Sequence, residues 1–372
     1  MGKFESCNYI EHGMVLDHCN RIRFCNNFNP RYGGRPIIYE NYHGEKIDWK
    51  DFFRIKRELR QKYRDGSCPE LCKDCVNTEC KEWDEEDYID YLLLTPWVPC
   101  NSNCIYCQAP RDKEVLANTK VYKVLPLIKD MIKNNILKKD GTIDFAGGEP
   151  TIYREFESLL SEFIKNDFTK IIIHTNAIKK SRSIIKGLKK GVVRILVSID
   201  AGSKEVHKKV KQVNSYDSVW KTLKEYAKNQ PKDADYVKAK YIIVPGLNDS
   251  EEELALWIDK CKEINIKSVV LNLDFNWLNN NVDGDLIHIY NLMKFAQNKT
   301  KELGMRCELY GQIFQVKCEV EHTREENIAG FWLLRNIKHN IFVFIFILYI
   351  SFKYFIDVIY LCFIYQPIDK LD

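Results

Sequence analysis

Cysteines 100, 104 and 107, in the stretch "CNSNCIYC", place three thiols on one short segment. Thiolates suit iron–sulfur clusters, and a four-iron cubane held by three cysteines leaves one iron open to an outside ligand. A zinc site built from the same thiols would want a fourth ligand, a distant His or Cys, and spacing alone leaves that reading open. The segment follows an apolar, β-rich run, so the thiols lie past the C-terminal end of a strand, where the functional loops of barrels sit. Tyr106 precedes the last of these cysteines, Gly147-Gly148-Glu149-Pro150 closes the second predicted strand, and Ser198-Ile199-Asp200 closes the fourth.

The elements that must position these residues follow from periodicity. Strands are expected at "YIDYLLLT" (88–95), "TIDFA" (142–146), "KIIIHT" (170–175), "VVRILVSID" (192–200), "DYVKAKYIIV" (235–244) and "KSVVLNLDF" (267–275). Between them lie amphipathic stretches such as 153–166 and 218–230, with apolar residues three and four apart, so the pattern is one of repeated βα units around a parallel sheet. Residues 1–87 lack that rhythm, hold seven of the fourteen cysteines, and are expected to form a separate small module bridged by a helix over 47–66. The near balance of 56 Lys+Arg against 52 Asp+Glu, net +4, offers no electrostatic case for nucleic acid as a partner. Without an apolar leader at the N-terminus, a cytoplasmic location and metal-bound rather than disulfide-bonded cysteines are expected.

C-x3-C-x2-C with an aromatic before the last cysteine, followed by "GGEP", resembles the radical SAM superfamily over roughly residues 88–310. The resemblance implies an α/β fold, a partial (β/α)6 TIM-type barrel. It implies a [4Fe–4S] cluster on Cys100, Cys104 and Cys107, whose open iron takes S-adenosylmethionine, and a reductant such as flavodoxin or ferredoxin. Reductive cleavage of S-adenosylmethionine to a 5′-deoxyadenosyl radical, and hydrogen abstraction from a substrate, is the implied activity. Gly147, Gly148, Glu149 and Pro150 would then serve the methionine amine. Thr175, Asn176, Ser198 and Asp200 would face its methionine and ribose portions, and Val244 and Gly246 of "IIVPGLND" the adenine. Where related enzymes often carry Arg-Gly, this chain has Lys211-Gln212, which departs from the family pattern.

A second set, Cys68, Cys72, Cys75 and Cys80, copies the C-x3-C-x2-C spacing in its first three members, but Asp74 rather than an aromatic precedes Cys75. With Cys7 and Cys25 it is similar to the SPASM or twitch auxiliary modules, placed before the barrel instead of after it. That similarity implies a second [4Fe–4S] cluster on Cys7, Cys25, Cys72 and Cys75, with Cys19, Cys68 and Cys80 as substitutes. A zinc knuckle, to which His12 or His18 could add, is the alternative. By analogy with family members carrying such modules, a peptide or protein substrate is favoured over a carbohydrate or other small molecule. A non-catalytic iron–sulfur or zinc protein is the rival outside enzymes. Finally, 311–372 forms a C-terminal extension whose apolar stretch 341–365 is long enough to span a bilayer, though Lys353 and Asp357 interrupt it. It reads equally as a membrane anchor, a packed helix or a non-native tail.

Overall fold

The computed structural model describes residues 3–25, 37–67, 77–107, 122–274 and 286–311, with Cys72, Cys75, Trp277, Ile313 and Val316. In chain order, the N-terminal elements are β1 (Phe4–Ser6), α1 (Asn8–His12), β2 (Gly13–Asp17), β3 (Arg21–Arg23), β4 (Ile37–Tyr39), α2 (Trp49–Arg64) and β5 (Glu79–Lys81). Then come β6 (Ile89–Thr95), α3 (Val124–Lys133), β7 (Leu137–Phe145), α4 (Phe156–Lys165), β8 (Lys170–Thr175), α5 (Arg182–Lys190) and β9 (Val193–Ser198). After β9 follow α6 (Lys204–Lys211), α7 (Tyr216–Asn229), β10 (Val237–Ile243), α8 (Glu251–Glu263), β11 (Ser268–Leu273), α9 (Leu286–Glu302) and β12 (Arg306–Leu309).

Strands β6 to β12 stand side by side in sequence order and run parallel, an open α/β barrel sheet. Alternation along each strand separates two faces. Phe145, Ile173, Ile195 and Val237 form one buried row facing the helices, where Phe145 meets Phe156 and Phe163 of α4. Asp144, His174, Ser198 and Lys240 point to the opposite, inner face. Ser181, Ser203 and Ser250 cap α5, α6 and α8, each hydroxyl accepting from the backbone N–H three residues on, which starts each helix directly after its strand-end loop.

The six strands expected from periodicity are β6 to β11, and further strands extend the sheet at both edges. β2 pairs in parallel with β6 over Gly13–Asp17, β3 and β4 extend that edge, and β12 adds a strand to the other. Within the N-terminal segment, β2, β3 and β4 thus continue the sheet. The short strands were hard to see because each is only three to five residues, too few for a period to register. The helix expected at 47–66 forms, capped by Asp48, and buries Phe52, Phe53, Lys56, Arg60 and Tyr63 along one stripe. Among the described residues no helix is long and apolar enough to cross a membrane; the segment 341–365, Cys318 and Cys362 lie outside them.

Candidate active site

The cysteine loop after β6 is held from several sides. Gly148 N–H donates to the Trp97 carbonyl at 3.2 Å and Glu149 N–H to that of Pro99 at 2.9 Å. A Cβ on Gly148 would lie 2.4 Å from the Val98 carbonyl oxygen, so only glycine lets the β7 end press against the chain leading into Cys100. Gly147 adopts a left-handed φ of +93°. The other flank docks on the C-terminal end of α6: Asn103 N–H and Ser102 Oγ donate to the Lys211 carbonyl, and Ile105 N–H to that of Val210. Those carbonyls have no partner within their own helix, so the loop satisfies both itself and the helix end.

Glu149, 2 % exposed, ties the loops together. Its Oε1 accepts from Thr151 N–H (3.1 Å), Thr151 Oγ1 (2.5 Å) and Thr175 Oγ1 (2.7 Å), while Oε2 accepts from Asn176 N–H (2.7 Å). Asn176 continues outward, its amide donating to Asn101 Oδ1 at 2.7 Å and to Cys100 Sγ at 3.6 Å. The expected positions of Glu149, Thr175 and Asn176 at strand ends are therefore met, but Glu149 and the Thr175 hydroxyl are engaged with each other. Pro150 opens a short 3-10 turn capped by Glu149.

Asp200, fully buried with a left-handed φ of +60°, is likewise turned inward. Oδ1 accepts from Ile242 N–H at 2.7 Å, and Oδ2 accepts from both Lys211 Nζ and Tyr106 OH. Its carbonyl accepts from Asn248 Nδ2, which also reaches the Ile242 carbonyl, while Asn248 Oδ1 accepts from Val244 N–H. This network leaves Ser198 half-buried at the β9 end, Val244 buried, and Gly246, φ +81°, beside open space. Asn248 and Asn101 escaped sequence reasoning, although Asn248 lies in "IIVPGLND"; Lys211 stood out there only as a departure from the family pattern.

The donor set suits an iron–sulfur cluster with a vacant position. Burial pushes the Cys100 thiol up to about 11, opposed by the Ser102 N–H and reinforced by Glu149, Cys104 and Cys107. A bound cation reverses that shift, because thiols ligate as thiolates. The buried Lys211 ammonium, within electrostatic reach of Cys104 and Cys100, adds positive charge beside them.

At the N-terminal edge, Cys7 caps α1, its Sγ accepting from Ile10 N–H at 3.4 Å, and packs with Cys72, Phe24 and Tyr63 in one apolar cluster. Burial pushes the Cys7 thiol up to about 12, with Cys72 and Cys25 adding to the shift, and Tyr9 feels Cys25, Cys7 and Cys75 together. Cys7 thus packs with Cys72 and lies within electrostatic reach of Cys25, beside the buried Lys56, whose Nζ donates to the Tyr9 and Gly13 carbonyls at 3.2 and 2.8 Å. Cys19 and Cys80 are exposed, and Cys68 lies outside the described residues. Asp17, His18 and Cys19 also lie close enough to share a metal, yet the Asp17 carboxylate is committed to Arg23, Arg21 and Cys19 N–H.

Burial against Tyr88 depresses His12 to about 4, with Asp84 opposing and Arg60 and Lys56 adding to the shift. His12 is neutral when folded and takes up its proton on unfolding once the pH is below its ordinary 6.5. Stability is therefore present above pH 6.5 and lost as pH falls toward 4. Urea midpoints across that window should decline in the native chain and decline less in His12→Gln.

Residues 95–258 match the sequence profile of the Radical SAM superfamily. The chain carries a radical SAM domain. It is 24 % identical over 184 residues to a GTP 3′,8-cyclase of Clostridium botulinum, covering 49 % of this chain and 56 % of the relative. It is 27 % identical over 184 residues to the molybdenum cofactor biosynthesis protein moc-5 of Caenorhabditis elegans, covering 47 % and 28 %. The chain thus spans about half the length of the first of these relatives, or less. In fold it is similar to Streptococcus suis SuiB bound to S-adenosylmethionine, with a TM-score of 0.50, 14 % identity, and coverage of 73 % of this chain and 58 % of that one. The radical SAM family implies a [4Fe–4S] cluster and S-adenosylmethionine as cofactors.

Proposed function

We propose that the radical SAM core, 88–310, holds its cluster on Cys100, Cys104 and Cys107 and directs radical chemistry at a hydrogen of a substrate on the inner face of the sheet. When bound, the cluster and S-adenosylmethionine supply one electron and a cleavable sulfonium, the source of a 5′-deoxyadenosyl radical. The chain's own residues do the holding. Gly148 and Glu149 seat the cysteine loop through their backbone N–H groups, and Glu149 couples the β7 and β8 ends so that the β7-end loop is rigid where the methionine amine would lie. Ser198 offers the ribose a hydroxyl, and Val244 and Gly246 offer the adenine a flat, open edge. Asp200, engaged by Lys211, Tyr106 and Ile242 N–H, supports the site from behind instead of touching the cofactor.

The neighbouring thiols Cys7, Cys25, Cys72 and Cys75 support a second cluster, supplied by residues 1–87, that relays electrons from a reductant such as flavodoxin or ferredoxin or contacts the substrate. A peptide or protein substrate rests on the resemblance to auxiliary-cluster modules. The observation that carries the proposal is the docking of the three-cysteine loop on Gly148 and Glu149. Anaerobic reconstitution should load about eight irons per chain. The dithionite-reduced protein should then convert S-adenosylmethionine to 5′-deoxyadenosine. An intact cluster with no 5′-deoxyadenosine would overturn the enzyme reading, and about four irons would overturn the second cluster.

A further inference from the structure

Most basic side chains on the inner face of the sheet have acidic partners. Lys238 on β10 lies 2.5 Å from Glu308 and 4.0 Å from Asp235. His174 on β8 lies 3.2 Å from Asp144, whose other oxygen accepts from Tyr91 OH. At the site end, Lys211 is paired with Asp200.

Lys240 differs. It sits two residues beyond Lys238 on the same face of β10, with Ser198 as its register partner on β9. It is half-buried, and its ammonium makes no hydrogen bond or ion pair among the described residues. Asp200, the carboxylate that acts on it electrostatically, already accepts from three other donors. Burial pushes the Lys240 ammonium below its ordinary range, Asp200 opposes the shift, and Lys211 adds to it. An ammonium withdrawn from water without a counter-ion is costly, and the cost is recovered when an anion arrives. The position is equally telling: Ser198, its register partner, ends β9 at the proposed cofactor site, so a group held by Lys240 would lie on the same face of the sheet next to that site.

We propose that Lys240 is the specificity-determining cation of this enzyme, binding a carboxylate or phosphate of the substrate on the inner face of the sheet. The inference rests on the reading of that face as the substrate side of a radical SAM enzyme.

The test is calorimetric titration of the reconstituted full chain, with S-adenosylmethionine bound, by pyrophosphate and separately by citrate. One of the two is expected to bind, which tells phosphate from carboxylate recognition. Lys240→Met should weaken that binding about tenfold or more and Lys240→Arg restore most of it, while the affinity for S-adenosylmethionine changes less than about twofold. Thermal stability of Lys240→Met should equal or exceed that of the native chain, since a half-buried ammonium with no ion pair among the described residues has been removed. The proposal falls if neither anion binds the native chain, or if native and Lys240→Met chains bind the anion equally. It also falls if Lys240→Met loses S-adenosylmethionine affinity instead, which would put the lysine in the cofactor site. None of these readouts needs turnover, so failure of 5′-deoxyadenosine formation would count against the enzyme reading alone.

Discussion

Cys104→Ala is expected to abolish 5′-deoxyadenosine formation and to lower the iron content of the reconstituted chain by about half. Three thiols are the minimum that can hold a four-iron cluster while keeping one iron open, so the loss of one has no substitute on this loop. The fold should survive, because the loop is fastened by backbone contacts: Asn103 and Ile105 N–H to the end of α6, and Gly148 and Glu149 N–H to Trp97 and Pro99. Circular dichroism and urea unfolding should therefore match the native chain. Iron remaining after the substitution would belong to the N-terminal thiols, and an additional Cys72→Ala should remove it. A Cys104→Ala chain that retained full iron and full S-adenosylmethionine cleavage would show the cluster to be elsewhere.

Glu149→Ala should be the most damaging single change outside the cysteines. It strands four donors: the Thr151 N–H and hydroxyl, the Thr175 hydroxyl and the Asn176 N–H. Each buried donor left without an acceptor costs about 1–3 kcal/mol. Even with partial relaxation the folded state should lose about 3 kcal/mol or more. The site should fail as well, because Asn176 is the link from Glu149 to Asn101 and Cys100. Urea denaturation reads the first effect, and equilibrium binding of S-adenosylmethionine to the reconstituted chain reads the second. Glu149→Gln retains one acceptor oxygen but turns an N–H2 group toward donors, so it should fall between the two. Unchanged stability in Glu149→Ala would mean that water replaces the carboxylate.

Much of the barrel was legible because its signals are local. Apolar residues two apart mark β8 and β10, and serines placed before apolar periodic runs start α5, α6 and α8. The three-cysteine motif needs only eight consecutive positions. What stayed hidden depends on partners far apart in sequence. Tyr106 and Asp200 are 94 residues apart, Lys211 and Tyr106 are 105 apart, and Asn176 and Cys100 are 76 apart. Asp200 reads in the sequence as a ligand-facing carboxylate at a strand end. Its left-handed backbone and its three inward donors are visible only in the fold.

Two thiol triplets with one spacing make the same point. The sequence by itself determined that thiol chemistry was present, that it followed a parallel strand, and that Gly147-Gly148 lay at the right remove to meet it. The tertiary structure alone decided the rest: Gly148 presses on the Cys100 loop, Cys72 packs with Cys7, Phe24 and Tyr63, and β2 joins the sheet beside β6. The physical reason is that spacing constrains only neighbours along the chain. Which charge is compensated and which donor is satisfied are settled by groups that meet only when the sheet has closed around them.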